Sequence, residues 1–119
     1  MPLFGNKDEK GIPFDLRKYF NDRINQAGYT TLSGDKREQF LQEFYRYYQD
    51  DLAKRCINSL SDAHVAEFEA MLQRNPPPTP QQADDFLRKH DPQYKQHVRD
   101  AKDMMIVYIT RYLRANANR

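Results

Sequence analysis

From Gly34 to Leu60 the large apolar side chains return every four residues: Phe40, Phe44, Tyr48, Leu52, Cys56 and Leu60. After Gly34 no glycine or proline interrupts the run. That spacing places them on one face of a single long α-helix. Leu41, Tyr45 and Ile57 widen the stripe, and Tyr47 lies outside it. The polar side carries the acid-to-base pairs Asp50–Lys54 and Asp51–Arg55, one helical turn apart. An aromatic ridge of this kind must be covered, so the shorter segments are expected to pack against it.

The rest of the chain reads as four further helices. Residues 1–12 form an N-terminal tail with Leu3 and Phe4 as a hydrophobic pair. A helix is predicted over 13–27: Pro13 suits a first turn, Asp15 suits the helix N-terminus, and Leu16, Tyr19, Phe20 and Ile24 share a face. Gly28 is placed to end it in a left-handed cap. Ser33 is the expected cap of the long helix and Ser61 that of a third, over 62–74, with Val65, Phe68 and Leu72 on its apolar side. Pro76, Pro77 and Pro78 have no amide hydrogens to continue a helix and mark a linker at 75–80. Thr79-Pro80-Gln81-Gln82 is a restart signal with cap, first-turn proline and capping box. The helix it opens, 80–89, buries Ala83, Phe86 and Leu87 and carries the pairs Asp84–Arg88 and Asp85–Lys89. Asp91-Pro92 starts the last helix, predicted over 92–115, in which Tyr94, Val98, Ala101, Met105, Tyr108 and Tyr112 keep the helical spacing. Its segment Met104–Ile109 is apolar all round, and such a helix must be covered on every side.

The fold class is therefore all-α: a small bundle of five helices, the two long ones (34–60 and 92–115) antiparallel, with the helix 13–27 lying across them. At 119 residues a single helical domain over 13–119 is expected, able to bury roughly two-thirds of its unfolded surface. Eight tyrosines and seven phenylalanines supply large rings to a chain that is only 39% apolar.

Leu60-Ser61-Asp62 opening a helix that contains Glu67-Phe68-Glu69, then Phe86-Leu87 and Asp91-Pro92-Gln93-Tyr94, resembles a family of small bacterial all-helical domains of unknown function. The resemblance covers residues 34–112. It implies a compact helical bundle and carries no activity or site residues.

Charge narrows the function classes. The net charge is +2, with ten basic and nine acidic side chains in residues 1–60 and nine and eight in 61–119. That balance argues against bulk attraction to nucleic acid or a membrane. The lone cysteine, Cys56, fits a reducing compartment, and neither a signal-peptide core nor a membrane-spanning run is present, so a cytoplasmic location is expected. The three histidines, His64, His90 and His97, contain no pair spaced for two ligands on one helix face, so no metal and no cofactor are expected. The acidic doublets Asp50-Asp51 and Asp84-Asp85 are matched by bases one turn on, the pattern of a solvated face. Without a nucleophile elbow, a phosphate loop or a zinc-protease motif, no catalytic residue is assigned and the chain is expected not to be an enzyme.

Two binding functions remain. The first is a protein–protein interaction module or accessory subunit, its partner another protein or a second copy. Its surface is expected at Tyr45, Tyr47, Tyr48, Ile106, Tyr108 and Leu113, with Leu3 and Phe4 as an anchor. The alternative is an RNA- or ribosome-associated protein using Lys102, Arg111, Tyr112, Arg114 and Arg119, where arginines meet phosphates and tyrosines stack on bases.

Overall fold

In the computed structural model the described residues are 11–117. They form five helices: α1 Phe14–Gln26, α2 Gly34–Ser59, α3 Asp62–Leu72, α4 Pro80–His90 and α5 Tyr94–Asn116. The all-α class and the order of elements are those expected. No helix among the described residues is long and apolar enough to cross a membrane.

Local sequence sets most helix ends. Gly28 adopts φ +95°, which only glycine reaches without strain. Its N–H bonds to the Asn25 carbonyl and that of Tyr29 to the Ile24 carbonyl, the paired bonds of a Schellman cap. Ser61 Oγ accepts from the His64 N–H at 3.2 Å and starts α3. Thr79 and Gln82 form the full capping box of α4, with Pro80 in its first turn. The start of α5 differs from expectation. Asp91 and Pro92 form a turn ahead of the helix, in which Asp91 Oδ1 accepts from the Gln93 N–H at 2.9 Å.

The chain divides into two compact units, Met1–Tyr48 with Lys102–Arg119, and Gln49–Ala101. Both boundaries fall inside helices, α2 and α5. The first unit contains α1, the first half of α2 and the second half of α5. Its core is Ile12, Leu16, Phe20, Ile24, Phe40, Leu41, Phe44, Tyr48, Met105, Ile109 and Leu113. Ile12, assigned to the tail by sequence, is fully buried. Phe44 touches Phe20, Phe40, Tyr108 and Tyr112 edge-on, with ring centroids 5.4 to 6.3 Å apart. Within this unit α2 and α5 run antiparallel: Lys36 pairs with the Ala117 carbonyl, Phe40 with Tyr112, and Tyr47 with Tyr108. Helix α1 lies against both, through the Arg17–Glu38 pair and through the Tyr19 hydroxyl on the Lys102 carbonyl at 2.8 Å.

Arg37 closes the α1–α2 turn. Its guanidinium donates to Asn21 Oδ1 at 2.8 Å, Asn25 Oδ1 at 2.9 Å and the Tyr29 carbonyl, and its Nε donates to the Leu32 carbonyl. One side chain thus occupies two loop carbonyls and fixes two side chains of α1.

The second unit contains the end of α2, α3, α4 and the start of α5. Its core is smaller: Leu52, Cys56, Leu60, Phe68, Leu87, Tyr94 and Ala101, with Asp91 buried among them. Helices α3 and α4 pack together, with the Phe68 and Phe86 rings 5.5 Å apart. Asp84 does not form the expected pair with Arg88; it accepts the Tyr94 hydroxyl at 2.7 Å, and Arg88 turns to Asp85.

Candidate functional site

The second unit gathers most of the chemistry-bearing side chains. Cys56 and Ser59 come from the last turns of α2, Asp91 from the turn after α4, and His97 from the first turn of α5. The Asp91 carboxylate is a hub. It receives His97 Nδ1 at 2.6 Å, the Gln93 N–H at 2.9 Å and the Cys56 thiol. His97 Nε2 meets Ser59 Oγ at 3.3 Å. Because a carboxylate only accepts, His97 Nδ1 carries a proton directed at Asp91, while Nε2 faces the Ser59 hydroxyl, which can donate or accept.

This order of groups decides what the hub can do. Nucleophilic catalysis by cysteine needs a base that takes the thiol proton and access for a substrate. Here the imidazole is bonded to the Asp91 carboxylate, and one ligand atom from each of Cys56, Asp91 and His97 lies within 4.8 Å of the other two. Cys56 is fully buried, and its thiol is pushed well above its ordinary pKa, by burial first and then by the Asp91 carboxylate that accepts its proton. Burial and the neighbouring carboxylate both oppose formation of the Cys56 thiolate. Asp91, its side chain fully enclosed, is compensated by three donors, as a buried carboxylate must be.

A second cluster lies on α3 and α4. His64 and Glu67 are one turn apart on α3, and His90 is the last residue of α4. The two imidazole rings are 4.1 Å apart, and Phe86 packs on the His90 ring at 4.5 Å. One ligand atom from each of His64, Glu67 and His90 lies within 4.8 Å of the other two. The spacing rule that led to an expectation of no metal considers pairs on one helix, so it missed a pair formed across two. Asp91, the hub of the first cluster, read only as a helix cap.

The described residues expected to face a partner divide three ways. Tyr48 and Leu113 are buried in the first unit's core and form no accessible surface, a correction to the expectation. Their neighbours on the adjacent helices cover them, which periodicity along one helix cannot reveal. Tyr45, Tyr47 and Tyr108 are half-buried. Tyr47 and Tyr108 stack face to face at 3.7 Å, each covering the other, and the Tyr108 hydroxyl bonds to Glu43. Burial, then the Glu43 carboxylate, pushes the Tyr108 phenol up to about 12. Ile106 is exposed, and Met104 and Val107, which belong to the all-round apolar segment but not to the expected partner surface, are exposed beside it, so that segment of α5 is covered on one side only. Leu3 and Phe4 lie outside the described residues.

Of the residues assigned to RNA contact, Arg111 and Arg114 are exposed and Lys102 is half-buried. Tyr112 packs edge-on against Phe40 and Phe44 at 5.1 and 5.4 Å, which commits its ring to the core. Arg119 lies outside the described residues.

The sequence profile of a family described as Protein of unknown function (DUF5663) matches residues 24–107, a span that includes both clusters of the second unit. No curated protein and no solved structure matches the chain. The match takes in the end of α1 as well as the helices that carry the resemblance seen in sequence, and the chain belongs to the DUF5663 family.

Proposed function

We propose that this protein is a non-enzymatic, cytoplasmic interaction module, a small accessory subunit that docks another protein on the outer face of α5. The observation that carries this reading is the exposed trio Met104, Ile106 and Val107. It is followed on the same helix by exposed Arg111 and Arg114, in a stretch with no acidic residue after Asp103. Monomers seldom leave adjacent large apolar side chains open to water. The occupant that fits is a protein surface with an apolar centre and an acidic rim, which would pair with the two arginines. A second copy of this chain is the competing occupant, because exposed Asp103, one turn before Val107, gives an antiparallel copy an acidic group to set against Arg111. The burial of Cys56, the one thiol, away from any substrate supports a binding role over a catalytic one.

The test compares wild-type protein with Val107→Glu and Arg111→Glu as baits, each first shown by circular dichroism to keep its helix content. A partner chain held by wild type, lost by both variants and released by added salt supports the proposal. Retention by both variants overturns it, and so does a wild-type protein that light scattering shows to be a dimer through this face. The RNA reading has the same arginines in its favour but not the ring of Tyr112. It takes over if the retained species is nuclease-sensitive and its affinity falls linearly on a logarithmic salt scale.

A further inference from the structure

We propose that His64, Glu67 and His90 form a binding site for a zinc-class divalent metal ion that clips α3 to α4. The donor set is two imidazoles and one carboxylate, a combination that suits borderline divalent ions, zinc foremost. One ligand atom from each residue lies within 4.8 Å of the others. A tetrahedral ion with bonds of about 2.0–2.1 Å holds its ligands about 3.4 Å apart, so a small rotation of side chains closes the site. Glu67 is exposed and the histidines are half-exposed, so that rotation meets little resistance.

What separates this cluster from the Asp91 hub is commitment. In the hub, Asp91 and His97 are engaged with each other, with Cys56 and with Ser59. The side chains of His64, Glu67 and His90 hold no hydrogen bond or ion pair with any described residue, so their lone pairs are available to a ligand. The backbone that presents them is fixed on both sides. The Ser61 cap sets the first turn of α3 where His64 stands, and the Thr79–Gln82 box sets α4. Phe86 and Phe68 back the His90 side with aromatic surface. A bound ion would bridge residues on either side of the proline segment 76–78 and leave a fourth position for water or for a donor from another molecule.

The experiment is a titration of the full chain with zinc chloride by calorimetry, with the histidine ring signals followed by NMR. The expected result is saturable binding of one Zn²⁺ per chain in the micromolar range or tighter, with the His64 and His90 signals shifted and those of His97 unmoved. His64→Gln, His90→Gln and Glu67→Gln should each weaken binding by at least about tenfold. Glu67 is exposed, so its variant keeps the fold and gives a reading even if a histidine variant does not. Cobalt in place of zinc should show ligand-field bands without a thiolate charge-transfer band. No saturable binding at millimolar zinc overturns the proposal, and so does binding that survives His64→Gln. A thiolate band, or movement of His97 in place of His64, moves the site to Cys56 and overturns it equally.

Discussion

The two compact units bury their polar atoms in different ways. In the unit of 1–48 and 102–119, aromatic rings meet edge-on around Phe44 and the polar tips of Tyr19 and Tyr108 reach a carbonyl and a carboxylate at its margin. In the unit of 49–101 a carboxylate sits in the core, and three donors converge on it. Ring packing is tolerant: area and shape count, and a smaller ring leaves a cavity of graded cost. A buried carboxylate is intolerant: each donor it loses, or leaves behind, forfeits a desolvation cost with nothing in return. One unit should respond to substitution by volume, the other by hydrogen-bond inventory.

The sharpest test of the first half of that contrast is Phe44→Ala. Phe44 is fully buried among four rings, and its loss should cost about 4 kcal/mol in urea unfolding. Phe44→Leu, which keeps most of the volume, should cost well under half as much. Equal costs for the two would break the volume argument. In the other unit, Asp91→Ala should cost about 3 kcal/mol by stranding the His97, Gln93 and Cys56 donors, and Asp91→Leu should be no better despite restoring apolar volume. A rescue by Leu would show that this unit, too, is governed by packing. The same hub predicts that a thiol reagent labels native Cys56 only as fast as the protein opens, so the labelling rate should rise in step with denaturant.

Arg37→Ala comes next, at about 2 kcal/mol, since it strips two loop carbonyls and two asparagine side chains of one shared donor. Proteolysis at the α1–α2 turn should quicken with it; if stability falls but the turn resists cleavage, the clasp has been misplaced. The smallest effect expected is electrostatic. The Tyr108 phenol, raised to about 12 in the folded chain, ionises near 10 when unfolded. Its contribution is therefore fully present below pH 10 and is lost as pH rises toward 12, because the unfolded chain gives up the proton first. Relative to wild type, Tyr108→Phe should flatten that part of the stability curve by on the order of 1 kcal/mol. An unchanged slope would mean that Glu43 and burial do not hold the phenol as described.

Much of the architecture is legible along the chain. The four-residue return of Phe40, Phe44, Tyr48, Leu52 and Cys56 marks a face, and all five are buried. Gly28 and the Thr79–Gln82 box mark helix ends because capping is settled within a few residues. The candidate sites were less legible. Asp91 carries the signature of a cap, and the turn it makes with Gln93 is real, but nothing nearby announces that Cys56 and His97 also reach it. Asp84 has a base four residues on and uses Tyr94 instead.

What the sequence by itself determined is thus the set of helices, most of their ends and the buried ridge of α2, since periodicity and capping are local properties of the backbone; Leu72, on the expected apolar side of α3, stayed exposed. Only the tertiary structure decided which side chains meet. Tyr48 and Leu113 went to the core, Met104, Ile106 and Val107 stayed outside, and His64 came to rest against His90. The physical reason is that such meetings depend on how helices pack, and residues 26 positions apart in sequence acquire a shared neighbourhood only when α3 and α4 close on each other.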